Sequence, residues 1–158
     1  MALIKVQSEG INLADDFTFT GTIAGAGGGK VLQVVNAIDE TSRTTTSTSY
    51  VTASNTLSVT ITPSSASNKI FVLASFLAVG TVNSYFTIFR DATNLGNATY
   101  GMTKANQDNQ ESVSIHYLDS PATTSARTYQ VYAKQDSGTT YINGSGARGS
   151  ITAFEIAG

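Results

Sequence analysis

Between Lys69 and Gly80 the chain reads K-I-F-V-L-A-S-F-L-A-V-G, preceded by the turn-forming run Pro63 to Asn68. Its wealth of Val, Ile and Phe predicts a strand over Lys69 to Val79. Alternation sends Ile70, Val72, Ala74, Phe76 and Ala78 to one side and Phe71, Leu73, Ser75, Leu77 and Val79 to the other, and both sides are apolar. A strand in a two-sheet antiparallel sandwich meets the core with one face only, so the second face needs its own cover. Two covers are open: loops of the same chain, or another copy of the subunit, with Phe71, Leu73, Leu77 and Val79 at the subunit interface.

Similar signals recur at short intervals. Strands are predicted near Lys30 to Ile38, Thr46 to Ala53, Leu57 to Thr62, Tyr85 to Arg90, Glu111 to Asp119, Arg127 to Gln135, Thr139 to Asn143 and Ser150 to Ile156. Leu57, Val59 and Ile61 oppose Ser58, Thr60 and Thr62, the alternation of a half-buried strand. Asp136-Ser137-Gly138 predicts a tight hairpin between the strands on either side of it. Asp91 to Gln110, with Gly96, Gly101 and several Asn, reads as long loops holding one short strand. This spacing predicts an all-β chain with an antiparallel Greek-key sandwich, of jelly-roll type, over residues 30–158.

Residues 1–29 carry a different pattern. Ile11, Leu13, Phe17, Phe19 and Ile23 fall on odd positions against Asn12, Asp16, Thr18, Thr20 and Thr22. That is an extended ribbon with one apolar face, too short to bury the face by itself. The stretch G-T-I-A-G-A-G-G-G that ends at Gly29 then forms a flexible joint between an anchoring arm and a head.

Composition supports the strand reading. The chain holds 23 Thr and 18 Ser among 158 residues, which favours strands and turns over helices. Charged residues make up 13%, about half the usual share, and no window shows sustained apolar spacing of 3 and 4. A net charge of -2 without a basic cluster argues against nucleic acid or an anionic membrane as partner. No apolar run is long enough for membrane insertion, and Met1 to Gly10 lacks the order of a secretion signal. Without cysteine there is neither a disulfide framework nor a thiolate nucleophile, which suits a reducing cytoplasm.

Candidate chemistry is sparse. Gly25-Ala26-Gly27-Gly28-Gly29-Lys30 imitates a phosphate loop, but Val31 stands where Ser or Thr should open a helix, and Ala24 stands where the first glycine should be. A single histidine, His116, excludes a multi-histidine metal site, and it lies with Ser112, Ser114 and Leu118 on the more polar face of its strand. No nucleophile-elbow pattern occurs. The pairs Asp15-Asp16 and Asp39-Glu40 point to opposite faces if extended, so they read as separate solvated charges rather than a calcium site. Sequons at Asn97-Ala98-Thr99 and Asn143-Gly144-Ser145 read as chance in an Asn- and Thr-rich chain. No enzyme activity, cofactor or metal is expected. Tyr85, Tyr100, Tyr117, Tyr129, Tyr132 and Tyr141 are spread over the distal strands and loops. Tyrosine joins an apolar face to a hydroxyl, which makes Tyr100 and Tyr141 candidate contacts for a host surface glycan, although Tyr129 and Tyr141 also suit packing within the sandwich.

Three segments together carry a family likeness: Gly10 to Val35 (G-I-N-L-A-D-D-F-T-F-T-G-T-I-A-G-A-G-G-G-K-V-L-Q-V-V), Leu57 to Ile70 (L-S-V-T-I-T-P-S-S-A-S-N-K-I) and Tyr117 to Tyr129 (Y-L-D-S-P-A-T-T-S-A-R-T-Y). They resemble domains of tailed-bacteriophage structural proteins, many from aquatic phages, that stand at the C-terminal ends of fibre-like proteins. The resemblance implies a non-enzymatic virion component with a homotrimeric, jelly-roll-like head. It would be assembled in the host cytoplasm and mounted on the virion surface. Partners would then be further copies of the chain and capsid or tail proteins, with Ile4, Val6, Ile11, Leu13, Phe17 and Phe19 as anchoring contacts. The fibre examples carry a long shaft ahead of the domain, whereas nine residues precede the shared segment here. Capsid decoration, a short fibre and a receptor-binding fibre tip all remain open on this reading.

Overall fold

The computed structural model describes residues 30–81, 83–106 and 109–158. The predicted arm and glycine joint over residues 1–29 lie outside the described residues, together with Asp15, Asp16 and the anchoring residues Ile4, Val6, Ile11, Leu13, Phe17 and Phe19.

Where the apolar and polar positions alternate, strands form. They are β1 (Val31–Asp39), β2 (Arg43–Thr45), β3 (Val51–Thr52), β4 (Ser58–Ile61), β5 (Lys69–Gly80), β6 (Ser84–Arg90), β7 (Thr93–Asn94), β8 (Thr103–Ala105), β9 (Gln110–Asp119), β10 (Arg127–Gln135), β11 (Thr140–Ile142) and β12 (Gly149–Ile156). All pair antiparallel, in two six-stranded sheets. The first runs β1-β12-β5-β11-β2, with β9 on the other edge of β5; the second runs β3-β10-β6-β7, with β4 also paired to β10 and β8 to β6.

The two sheets close on one core. Ile70, Val72, Ala74, Phe76 and Ala78 of β5 are buried, as the alternation predicts, and so are Leu57, Val59 and Ile61 around β4. They meet Phe86, Ile88, Val131 and Ala133 of the second sheet and Ile151 and Ala153 of β12 in the first, and the Phe76 and Phe86 rings contact edge-on at 5.1 Å. Burying each Val, Leu, Ile or Phe side chain among them stabilises the fold by roughly 1.5–3 kcal/mol relative to exposure.

Two buried carboxylates gather donors from distant parts of the chain. Asp119, at the end of β9, accepts both Oδ contacts at 2.8 Å from Arg90 Nη1 on β6 and a 2.6 Å bond from the Tyr129 hydroxyl on β10, so it joins the two sheets. The bond to Asp119 raises the Arg90 pKa, while burial and then Asp119 push the Tyr129 hydroxyl far above its usual range. Glu155, on β12, accepts from Asn68 Nδ2, Gln33 Nε2 and Ser64 N at 2.6 Å each and from Ser64 Oγ at 2.8 Å. Burial alone would raise its pKa, but these donors outweigh burial and bring it down to about 2. Glu155 thereby pins the Pro63-to-Asn68 turn to the first sheet.

Four expectations are corrected. The predicted Thr46 to Ala53 strand is broken: Arg43–Thr45 joins the first sheet and Val51–Thr52 the second. Between them Ser47 Oγ donates to Ser49 O and accepts from Ser49 N, a local bond that competes with a ladder and lets the chain cross between sheets. The Asp136-Ser137-Gly138 turn forms, with Gly138 at φ 85°, but β10 and β11 belong to different sheets and do not pair. Ala133 and Gln135 before the turn, and Thr140 and Ile142 after it, are all buried, so each strand packs on the core from its own side. Residues 91–106 contribute two short strands rather than one and lie over the outer side of β6, where Thr87 is fully buried and donates to Asn94 Oδ1. Asp39 is no solvated charge: it is buried and accepts from Ser54 Oγ, Thr41 N and Arg43 Nε. Burial opposes its ionisation, yet those donors hold its carboxyl below the ordinary range. Glu40, its neighbour, is exposed and paired with Arg148 at 2.6 Å.

Candidate functional site

Directly opposed residues of neighbouring strands share a face, so the register maps the outward side of the first sheet. One row across it is Val34, Phe154, Phe71 and Leu118. The next is Asn36, Thr152, Leu73 and His116, followed by Ile38, Ser150, Ser75 and Ser114. Leu77 opposes Ser112, and the far row is Thr44, Tyr141, Val79 and Gln110. The face is therefore apolar at one end and polar through its middle.

At the apolar end the Phe71 ring lies 6.1 Å from Phe154 and 5.9 Å from His116. Val34 is 54% exposed, Leu118 49% and Leu73 37%, so a patch of large side chains faces water in the single chain. At the other end the turn through Gly144 reaches Val79, where a Cβ on Gly144 would stand 3.9 Å from Val79 Cγ2, and Leu77 and Val79 are half-buried. Of the four residues read as a subunit interface, Phe71 and Leu73 thus belong to the exposed patch, while Val79 gains part of its cover from its own chain. The span from Phe71 to Val79 is about 26 Å at strand rise. Val34, Leu118 and Phe154 complete the patch, and no periodicity within one strand could have found them, because the cross-strand register brings them beside Phe71.

The second sheet carries a tyrosine surface. Phe89 and Tyr132 stack at 3.9 Å, Tyr50 lies 6.1 Å from Phe89, and Lys134 Nζ stands 5.0 Å from the Tyr50 ring and 5.4 Å from that of Tyr85. Burial, and secondarily Tyr85, pushes the Tyr50 hydroxyl up to about 12. Tyr85 donates to Asp136 Oδ2 at 3.1 Å; burial first and that carboxylate next raise its pKa, so it remains a neutral donor. Tyr100 leans on Tyr85 at 5.9 Å beside a concavity of about 310 Å³.

The two tyrosines read as glycan contacts are not brought together. Tyr100 sits beside the second sheet, whereas Tyr141 lies on the outward side of the first, 40% exposed and opposite Val79. Tyr129 is fully buried in the sandwich; Tyr141 is not. His116 is exposed on β9 and lines a shallow concavity of about 410 Å³ with Ser114, Tyr117, Leu95 and Met102. Among the described residues no group of three His, Cys, Asp or Glu side chains is placed to hold a metal ion. In the second sequon Asn143 itself is buried, its Nδ2 donating to Asp39 O at 2.9 Å, so that amide is closed to a glycan. No protein-family model and no curated protein matches the chain.

Proposed function

We propose that this chain is a non-enzymatic structural protein of a bacteriophage virion, a small exterior head that assembles as a homotrimer and is held to capsid or tail proteins by its N-terminal arm. The carrying observation is the exposed patch formed by Val34, Leu118 and Leu73 around Phe71 and Phe154. A second copy seated there would remove large apolar side chains from water, and because each is already about half buried the gain is roughly half of the 1.5–3 kcal/mol of full burial. The strand order supports a jelly roll: β1, β12, β5 and β9 in one sheet face β4, β10, β6 and β8 in the other. The likeness of Gly10 to Val35, Leu57 to Ile70 and Tyr117 to Tyr129 to phage structural domains supports the virion setting.

Sedimentation or light scattering of the purified chain is expected to return three times the single-chain mass. Leu118→Asp and Leu73→Asp place a carboxylate in the patch and are expected to give a folded monomer. A monomeric wild type, or a trimer indifferent to both changes, refutes the proposed interface. Removing residues 2–24 tests the anchor separately: the shortened head is expected to stay trimeric and to stop co-sedimenting with particles.

A further inference from the structure

The exposed ring of Tyr100 has a setting that core packing does not explain. At 64% exposure it is held outward by a tight loop in which Asn97 N donates to Gly101 O at 3.0 Å and Gly101 N to Asn97 O at 2.9 Å. Asn97 Oδ1 accepts from Thr99 N and Tyr100 N at 2.8 and 2.9 Å. Gly101 adopts φ 66°, and a Cβ there would stand 2.5 Å from Phe86 O and 2.7 Å from Tyr50 Oη, so the loop is seated against β6 with no room to spare. A side chain presented by such a loop is pre-organised, which lowers the ordering cost of binding.

Beside it lies the concavity of about 310 Å³ lined by Tyr85, Tyr100, Met102, Thr103 and Lys104, near the lower limit of small-molecule sites. An aromatic wall with hydroxyl and amine groups at its rim suits a pyranose, whose C–H face packs on a ring while its hydroxyls take hydrogen bonds. Charge narrows the choice. In the register Tyr85 stands between Lys104 of β8 and Lys134 of β10. Lys134 Nζ is 5.4 Å from the Tyr85 ring, and Lys104 lines the concavity itself. The carboxylate beside them, Asp136, already accepts from Tyr85 Oη and from Asn83 Nδ2 at 3.0 Å. Two ammonium groups against that one carboxylate, in a chain whose net charge is -2, leave this spot net cationic.

We propose that the concavity beside Tyr100 and Tyr85 binds one ring of an acidic sugar, a pyranose bearing a carboxylate. The site lies on the second sheet, away from the apolar patch, so oligomeric state and sugar binding are independent readouts. The test titrates the full chain with a galacturonic acid trimer and, in parallel, with the neutral galactose trimer, followed by calorimetry and amide shifts. Saturable binding of the acidic trimer is expected, with shifts at Tyr100 to Lys104 and with affinity falling as salt is raised. Tyr100→Ala is expected to weaken it about tenfold and Lys104→Gln by about threefold. Tyr141→Ala, on the other sheet, is expected to leave it unchanged. Absence of binding at millimolar acidic trimer, equal affinity for the neutral trimer, or full affinity in Tyr100→Ala overturns the proposal. Because Tyr100 is exposed, its truncation leaves the core intact, and an unchanged melting temperature verifies that.

Discussion

Replacing Asp119 with alanine is expected to destabilise the fold by about 3–5 kcal/mol, the cost of breaking a buried pair from one side. Asp119 is 5% exposed and receives Arg90 Nη1 on both oxygens and the Tyr129 hydroxyl on one. Without it a guanidinium and a fully buried phenol would lose their partner together, and β9 of the first sheet would lose its polar link to β6 and β10 of the second. Tyr129→Phe separates the contributions: it removes one donor to a charged acceptor and leaves the Arg90 pair, so a loss of about 1.5–3 kcal/mol is expected. Urea unfolding at one protein concentration reads both, and the fixed concentration matters because subunit association adds to apparent stability. A loss in Asp119→Ala no greater than that in Tyr129→Phe would show that the ion pair contributes nothing.

Glu155→Gln is expected to cost about 2–4 kcal/mol at pH 7, since four donors aimed at a carboxylate would face an amide that can accept at one atom only. The pH dependence distinguishes this from simple misfit. The pKa of Glu155 is depressed in the folded state, from an ordinary 4.5 to about 2. Its contribution is therefore fully present above about pH 4.5 and is lost as pH falls towards 2, because only the unfolded chain takes up the proton in that interval. Wild type and variant should differ most near neutrality and converge in acid. Asp39, whose pKa is also lowered, works in the same direction, so the variant retains some acid sensitivity. A difference between the two proteins that stays constant from pH 7 to pH 3 would contradict the assigned cause.

Much of the strand pattern was legible before any coordinates. Arg127–Gln135 matches its predicted span residue for residue, and the buried residues of β5 are one of the two sets that alternation separates. Where the reading failed, local chemistry misled it. Thr46 to Ser49 is a run of β-branched residues and serines that looks like strand, yet hydroxyls of Thr45 and Ser47 bond the adjacent backbone and turn the chain. Asp39 and Glu40 look alike in sequence, and one is buried among donors while the other meets Arg148 at the surface. Within the candidate surfaces, Phe71, Leu73 and Tyr100 were singled out from the sequence, whereas Leu118, Val34, Lys104 and Lys134 were not.

The division has a physical origin. Period-two alternation depends on the pleat of a single strand, so the amino-acid order alone determined that this chain is all-β and which residues of each long strand share a side. Sheet membership, register and burial of polar groups depend on residues far apart in the chain, and only the tertiary structure decided them: that β10 and β11 part company at a turn, that Asp119 meets Arg90 and Tyr129, and that Lys104 and Lys134 flank Tyr85.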